Sequence, residues 1–235
     1  AYVAPDKRDA ARAQVADAMW ALAQAAEAGS DSQFQFVQAL ASSAATPAQW
    51  EIVRQLRAGE LALNGLDIDT DLSWQLLVAL AAGGAVTAAE IDAALAADNT
   101  AKGGELAAQA GDAGENIVVR GLAWDSLIAS DEQPNTIVRA TAAGFTHPAT
   151  VAQQAEFVGA YFDMLLPIWG ARTYQIAQYL IVGLYPAAMA NAVLRDATQA
   201  WLDANVDAPA ALRRLVNENV ATVERALRVQ ERDAQ

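Results

Sequence analysis

A chain of 235 residues, 54% hydrophobic and 18% charged, is long enough to bury a sizeable core and reads as a globular protein. Its 28 acidic and 15 basic residues give a formal net charge of −13, spread along the chain, which argues against nucleic acid or an anionic membrane as partner. It has no cysteine and one histidine, His147, so it offers no disulfide framework and not the usual catalytic zinc site, which takes about three ligands from His, Cys and carboxylates.

The N-terminus, Ala1-Tyr2-Val3-Ala4-Pro5, has no initiator Met and no basic-then-apolar signal pattern, and reads as a cut inside a longer chain. Gly29-Ser30-Asp31-Ser32 is a turn by composition. Thr46-Pro47-Ala48-Gln49 places a hydroxyl and a reciprocal side chain three residues apart, the pattern of a helix start. After a break from Gly59 to Gly65, Asp67-Ile68-Asp69-Thr70-Asp71 looks like the opening of a calcium loop. It has Leu72 and Val78 where that loop needs Gly and a bidentate Glu, so it is read as a helix start capped by Asp69 or Thr70. Leu72 to Ala82 is apolar nearly all round and reads as an inner helix. Gly83-Gly84 ends it, and Thr87-Ala88-Ala89-Glu90 opens the next with a second capping pattern.

Asp98-Asn99-Thr100 is a turn, Asp112-Ala113-Gly114-Glu115 reads as a further cap, and breaks follow over Ser130 to Asn135 and Phe145 to Pro148. From Phe157 through Tyr161, Met164, Leu165 and Ile168 the apolar spacing gives one buried stripe, which Pro167 is expected to kink or split. Tyr185-Pro186 breaks the chain again, and Asp207 with Pro209 fits a cap and a first-turn proline. The last helix carries the stripe Leu212, Leu215, Val216, Val220, Val223 and Leu227, with a wet face opposite.

No stretch alternates with period two for long enough to make a strand, so the fold is read as all-α. No apolar run approaches the ~20 residues of a membrane helix, the longest, Tyr179 to Ala190, being broken by Gly183 and Pro186. Helix starts fall about every 15 to 25 residues, so antiparallel pairs recur within the range of helical solenoids. The expectation is a HEAT-like antiparallel helix-pair array, an α-superhelix, as a single elongated domain over residues 1–235.

Few residues invite a chemical role. His147, before Pro148, is read as a turn residue bonded to a neighbouring backbone group or solvated. No GxSxG elbow, GxGxxG turn or phosphate loop is present. Arg172, placed on a continuous helix with Trp169, Ile176 and Tyr179, is either structural, its stem packed and its head paired, or a guanidinium that meets a peptide carboxylate through two parallel hydrogen bonds. Arg139 presents the same choice. Tyr185 and Tyr161 are read as core residues or as polar handles to a cavity.

The block Leu63-Asn64-Gly65-Leu66-Asp67-Ile68-Asp69-Thr70-Asp71-Leu72-Ser73-Trp74 resembles one in the C-terminal helical domain of the bacterial, actinobacterial-type aminopeptidases N, of the gluzincin zinc aminopeptidase family. Trp169, Arg172, Ile176-Ala177 and Gly183-Leu184-Tyr185-Pro186 form a second block, and Leu212-Arg213-Arg214-Leu215-Val216 with Glu224-Arg225-Ala226-Leu227 resembles the end of those enzymes. In that family an HExxH motif with a later Glu holds zinc and a GAMEN motif holds the substrate's amino end. Neither occurs here, so no catalytic, metal or cofactor residue is carried over. The resemblance implies a non-catalytic domain that covers the active site of its own catalytic domain, controls access and contacts the downstream part of the peptide, with Arg172, Arg139 and Tyr185 as candidate peptide contacts. Zinc would lie in the catalytic domain of the parent chain, and the fragment alone is expected to be inactive and cytoplasmic. The alternative is a free-standing helical scaffold that binds another protein.

Overall fold

Side-chain caps on orphan N–H groups set most of the helix starts. The structure, a computed structural model, describes residues 1–114, 116–129 and 133–235, and among these the regular elements are all helical. None of these helices is long and apolar enough to cross a membrane. The chain divides into two compact units, each with its own apolar core.

The unit Asp6–Gly114 holds α1 (Arg8–Ala25), α2 (Asp31–Ser43), α3 (Pro47–Ala58), α4 (Thr70–Ala82), α5 (Ala88–Ala97) and α6 (Ala101–Ala113). Ser30 caps α2, and Thr46 with Gln49 closes the anticipated capping box on α3. Asp69 caps α4 by accepting from the Leu72 N–H at 2.8 Å, Thr87 and Glu90 form the box on α5, and Thr100 caps α6. Thus the Asp67 to Asp71 segment serves a helix start. As expected, α4 is the inner helix: it packs on α2, α3 and α6, and buries Leu72, Trp74, Leu76, Leu77 and Leu80. Full burial of each leucine contributes about 1.5–3 kcal/mol against about 1 kcal/mol for a typical cap, so packing decides the arrangement and caps sharpen its ends. Gly29 and Gly65 both have positive φ and touch back to back. A Cβ on Gly65 would lie 2.5 Å from the Gly29 nitrogen, so the turns before α2 and α4 seat together only with glycine there.

The other unit joins Ala1–Pro5 to Glu115–Gln235. It contains α7 (Ile117–Ala129), α8 (Asn135–Phe145), the single turn α9 (Val151–Gln154), α10 (Val158–Ala171), α11 (Tyr174–Gly183), α12 (Ala192–Ala204) and α13 (Ala210–Asp233). Phe145, Tyr161, Leu165, Leu180, Ile181, Leu194, Leu212 and Val216 lie in its core. The stripe anticipated on the last helix is the buried face of α13, with Leu227 partly buried beside it. Ala1–Pro5 lies along the end of α13: Ala4 N–H donates to Asp233 Oδ2 at 2.9 Å, and Gln230 Nε2 donates to the Ala1 and Ala190 carbonyls.

Three helix ends differ from the sequence reading. Residues Trp169 to Tyr179 are not one helix: α10 ends at Ala171, Arg172 is extended, and Thr173 caps α11 by accepting from the Ile176 N–H. Pro167, expected to kink or split the run, does not split it: it lies inside α10, where burial of Tyr161, Met164, Leu165 and Ile168 outweighs its lost hydrogen bond. Asp112 is within α6; Glu115 lies outside the described residues, and Asn116 Oδ1 accepts from Val118 and Val119 at the start of α7. Pro209 occupies the N-cap of α13 rather than its first turn, and Arg213 Nη1 donates to the Leu202 and Asn205 carbonyls, closing the end of α12. Of the expected break over Ser130 to Asn135, residues 130–132 lie outside the described residues; α8 begins at Asn135.

Candidate functional site

In the Glu115–Gln235 unit, α8 and α11 pack side by side, and Gly183 allows a close approach, since a Cβ there would sit 3.2 Å from that of Ala142. Where the two helices meet the turn after Tyr185 they enclose a cavity of about 360 Å³. Its walls are mostly apolar, from Ala142, Val182 and Ala187, and its polar groups come from Arg139, Thr146 and Tyr179. Arg139 is exposed, Val182 is 48% exposed beside it, and the Tyr179 hydroxyl accepts from Gln175 Nε2 at 2.7 Å. A cation at the rim of an apolar groove suits a ligand with an apolar body and an acceptor or carboxylate at one end.

The structure therefore brings two of the three candidate residues, Arg139 and Tyr185, to one cavity. They have different freedom. Tyr185 is 3% exposed, and its hydroxyl lies 2.9 Å from Thr198 Oγ1. Thr198 donates its own proton to the Leu194 carbonyl at 2.7 Å, so Tyr185 is the donor in that pair. Burial pushes the Tyr185 hydroxyl up to about 12, with the Thr198 bond opposing. Tyr185 thus presents its ring to the groove and keeps its hydroxyl in the core. Tyr161, the other tyrosine considered, is fully internal: it donates to the Ile181 carbonyl at 2.7 Å and accepts from Asn219 Nδ2 at 3.1 Å. Burial first, then the neighbouring Tyr185, raises its hydroxyl above the ordinary value against the Asn219 bond.

Arg172 stands apart from that groove. It lines a smaller cavity of about 250 Å³ with Gln133, Val138, Thr173 and Ile176, and its Nη2 donates to the Ile128 carbonyl at 2.9 Å. One arm of the guanidinium thus ties the α10–α11 corner to α7, and its remaining donors line the cavity. His147 is a turn residue, as read: Nδ1 accepts from the Ala149 N–H at 3.2 Å, and its carbonyl accepts from Thr150 and Gln154.

The residue that sequence reasoning passed over is Arg120, 0% exposed on α7. Its Nη1 donates to Thr150 Oγ1 at 3.2 Å, its Nη2 donates to the Phe145 carbonyl, and its guanidinium lies 4.4 Å from the centre of the Phe145 ring. It pins the corner after α8, and so the helix that carries Arg139. A signal existed: Arg120 shares the helical stripe of Ala123, Trp124 and Leu127, all buried.

Among the described residues no group of three or more His, Cys, Asp or Glu is placed to hold a metal ion, so these residues do not fit the zinc of the gluzincin enzymes. Comparison with known proteins agrees with the fold. The model of the ERAP1-like C-terminal domain family matches residues 3–225. An aminopeptidase N of Streptomyces lividans is 39% identical over 233 residues, covering 99% of this chain and 27% of the relative. The chain thus spans about a quarter of the length of the curated relative it matches.

Proposed function

Because this chain belongs to the ERAP1-like C-terminal domain family, we propose that it is the non-catalytic helical part of a zinc aminopeptidase that removes N-terminal residues from peptides. The carrying observation is the match of nearly the whole chain to about a quarter of an aminopeptidase N, in a chain whose described residues form no metal-ligand cluster. In this reading zinc and the reacting groups belong to a catalytic domain of the parent chain. The helices, as a HEAT-like superhelix forming a single domain, cover that site, exclude folded proteins and contact the downstream part of the peptide. The groove at Arg139 and Tyr185 takes an apolar peptide segment with the guanidinium on an acceptor, and Arg172 supplies a second contact. A cytoplasmic enzyme, with peptides as partners and neither nucleic acid nor membrane, completes the reading.

The experiment measures kcat/KM of the parent enzyme on a long peptide and on a single-residue amide. Arg139→Ala and Arg172→Ala are expected to lower the value for the long peptide by about tenfold each, the equivalent of one charge-assisted contact, and to leave the amide within about twofold. Equal losses on both substrates, or no loss on either, would reject the peptide-contact role. Zinc-dependent turnover by the purified 235-residue chain would reject the non-catalytic assignment.

A further inference from the structure

The segment most like a calcium loop lines a cavity that the proposed function does not use. In the Asp6–Gly114 unit, Ile68, Asp69, Ser73 and Trp74 meet the end of α5 and Arg57 of α3 around about 330 Å³. The Arg57 Nε donates to the Ser73 carbonyl at 3.3 Å, while its two terminal nitrogens have no hydrogen-bond or ion-pair partner among the described residues. Its charge is strained by its surroundings: burial lowers its proton affinity, Glu90 opposes that and Arg54 adds to it. Asp69 uses Oδ1 to cap α4, and Oδ2 has no such partner. Asp98, which also lines the cavity, accepts from Trp74 Nε1 at 2.8 Å and from Thr100 Oγ1 at 2.9 Å. Ile68, Ala94 and Ala97 supply apolar lining to the same cavity.

Arg57 and Asp69 thus line one cavity without pairing with each other, and an apolar wall lies beside them. A simple anion would meet two carboxylates, and a simple cation would meet Arg57. A ligand with a carboxylate and an ammonium on one carbon answers both, and an apolar side chain on that carbon answers the wall. We propose that this cavity binds a free α-amino acid with a small or medium apolar side chain, its carboxylate on the terminal nitrogens of Arg57 and its ammonium on Asp69 Oδ2. Trp74 reports occupancy, because it lines the cavity and its indole N–H is bonded to Asp98, another lining residue.

The test titrates the 15N-labelled chain with L-leucine, N-acetyl-L-leucine and L-leucinamide, following the Trp74 indole resonance assigned by Trp74→Phe. L-leucine is expected to give a saturable shift with half-saturation on the order of a few millimolar. Each of the other two lacks one charge and is expected to bind about tenfold more weakly or worse. Asp69→Asn keeps the cap, since Asn is as good an N-cap, and is expected to weaken L-leucine about tenfold while leaving N-acetyl-L-leucine unchanged. Arg57→Gln is expected to abolish the response to both leucine and its acetyl form, with the helical circular dichroism retained. Acetyl-leucine binding as tightly as leucine, leucinamide doing so, an Asp69→Asn chain binding leucine normally, or no saturable shift in the folded chain would each overturn the proposal. The readout is binding to the chain itself, so its outcome is independent of any role in peptide cleavage.

Discussion

A guanidinium sealed in a core is tolerated only where its donors meet acceptors, and Arg120 shows how much one side chain can organise. Its planar fork reaches the Phe145 carbonyl and Thr150 while its face lies against the Phe145 ring, three contacts that fix the end of α8. An ammonium has the charge without the fork. Arg120→Lys is therefore expected to cost about 2 kcal/mol or more of unfolding free energy, read as a lowered urea midpoint, because an acceptor is left unsatisfied inside. A loss under about 0.5 kcal/mol would mean that the fork geometry is dispensable. This residue was hidden in the sequence for a physical reason: its partners are 25 and 30 positions away, and pattern reading relates only neighbours on one helix. The helix break at Arg172 escapes sequence reading for the converse reason. The apolar spacing from Trp169 to Tyr179 continues across a break that is made by one threonine cap, so periodicity gave a continuous helix where backbone chemistry ends one and starts another. Arg139 and Tyr185 were both singled out, yet their meeting at one groove depends on how α8 packs on α11, which sequence spacing does not encode.

At the scale of the element, two capping boxes of the same geometry, Thr46 with Gln49 and Thr87 with Glu90, have unequal worth. Gln49 is 3% exposed; its Oε1 accepts from the Ala45 and Thr46 N–H groups, and its Nε2 donates to the Ala13 carbonyl and to Asp17 Oδ1. It caps α3 and also ties that helix to α1. Glu90 makes the same reciprocal bonds to Thr87 at a half-exposed position, with only a long 3.5 Å pairing to Arg54 of α3 beside them. The Thr87 backbone and side-chain bonds hold its carboxyl below the usual range, so its small contribution is present above about pH 4.3 and lost as acid protonates it. Gln49→Ala is expected to cost about 2–3 kcal/mol, a cap plus buried bonds, and Glu90→Ala less than about 0.5 kcal/mol. Equal costs in chemical denaturation would show that burial does not separate them. Both boxes were legible in the sequence because a box needs only residues three apart. The ties to other helices were not, since Ala13 and Asp17, and Arg54 for Glu90, lie more than thirty residues away.

For the whole molecule, all five tyrosines belong to the unit that joins Ala1–Pro5 to Glu115–Gln235, and the Asp6–Gly114 unit has none. Two of the five, Tyr161 and Tyr185, are buried with their rings 5.4 Å apart. In the folded unit Tyr185 holds its proton to about 12 and Tyr161 is raised as well, whereas an unfolded tyrosine releases its proton near pH 10. Above that pH the unfolded chain sheds protons that the folded chain keeps, so their contribution is fully present below about pH 10 and declines as the pH rises further. At about pH 11 the two together should remove roughly 3 kcal/mol from this unit and nothing from the other. Three tryptophans report each side: Trp20, Trp50 and Trp74 in Asp6–Gly114, and Trp124, Trp169 and Trp201 in its neighbour along the chain. In a 5-fluorotryptophan-labelled chain the urea midpoints of the second set are expected to fall between about pH 8 and pH 11 while those of the first set fall less. Parallel loss in both sets would mean that the two cores unfold as one cooperative body, and that the tyrosine pair is a liability of the entire chain rather than of the half that contains it.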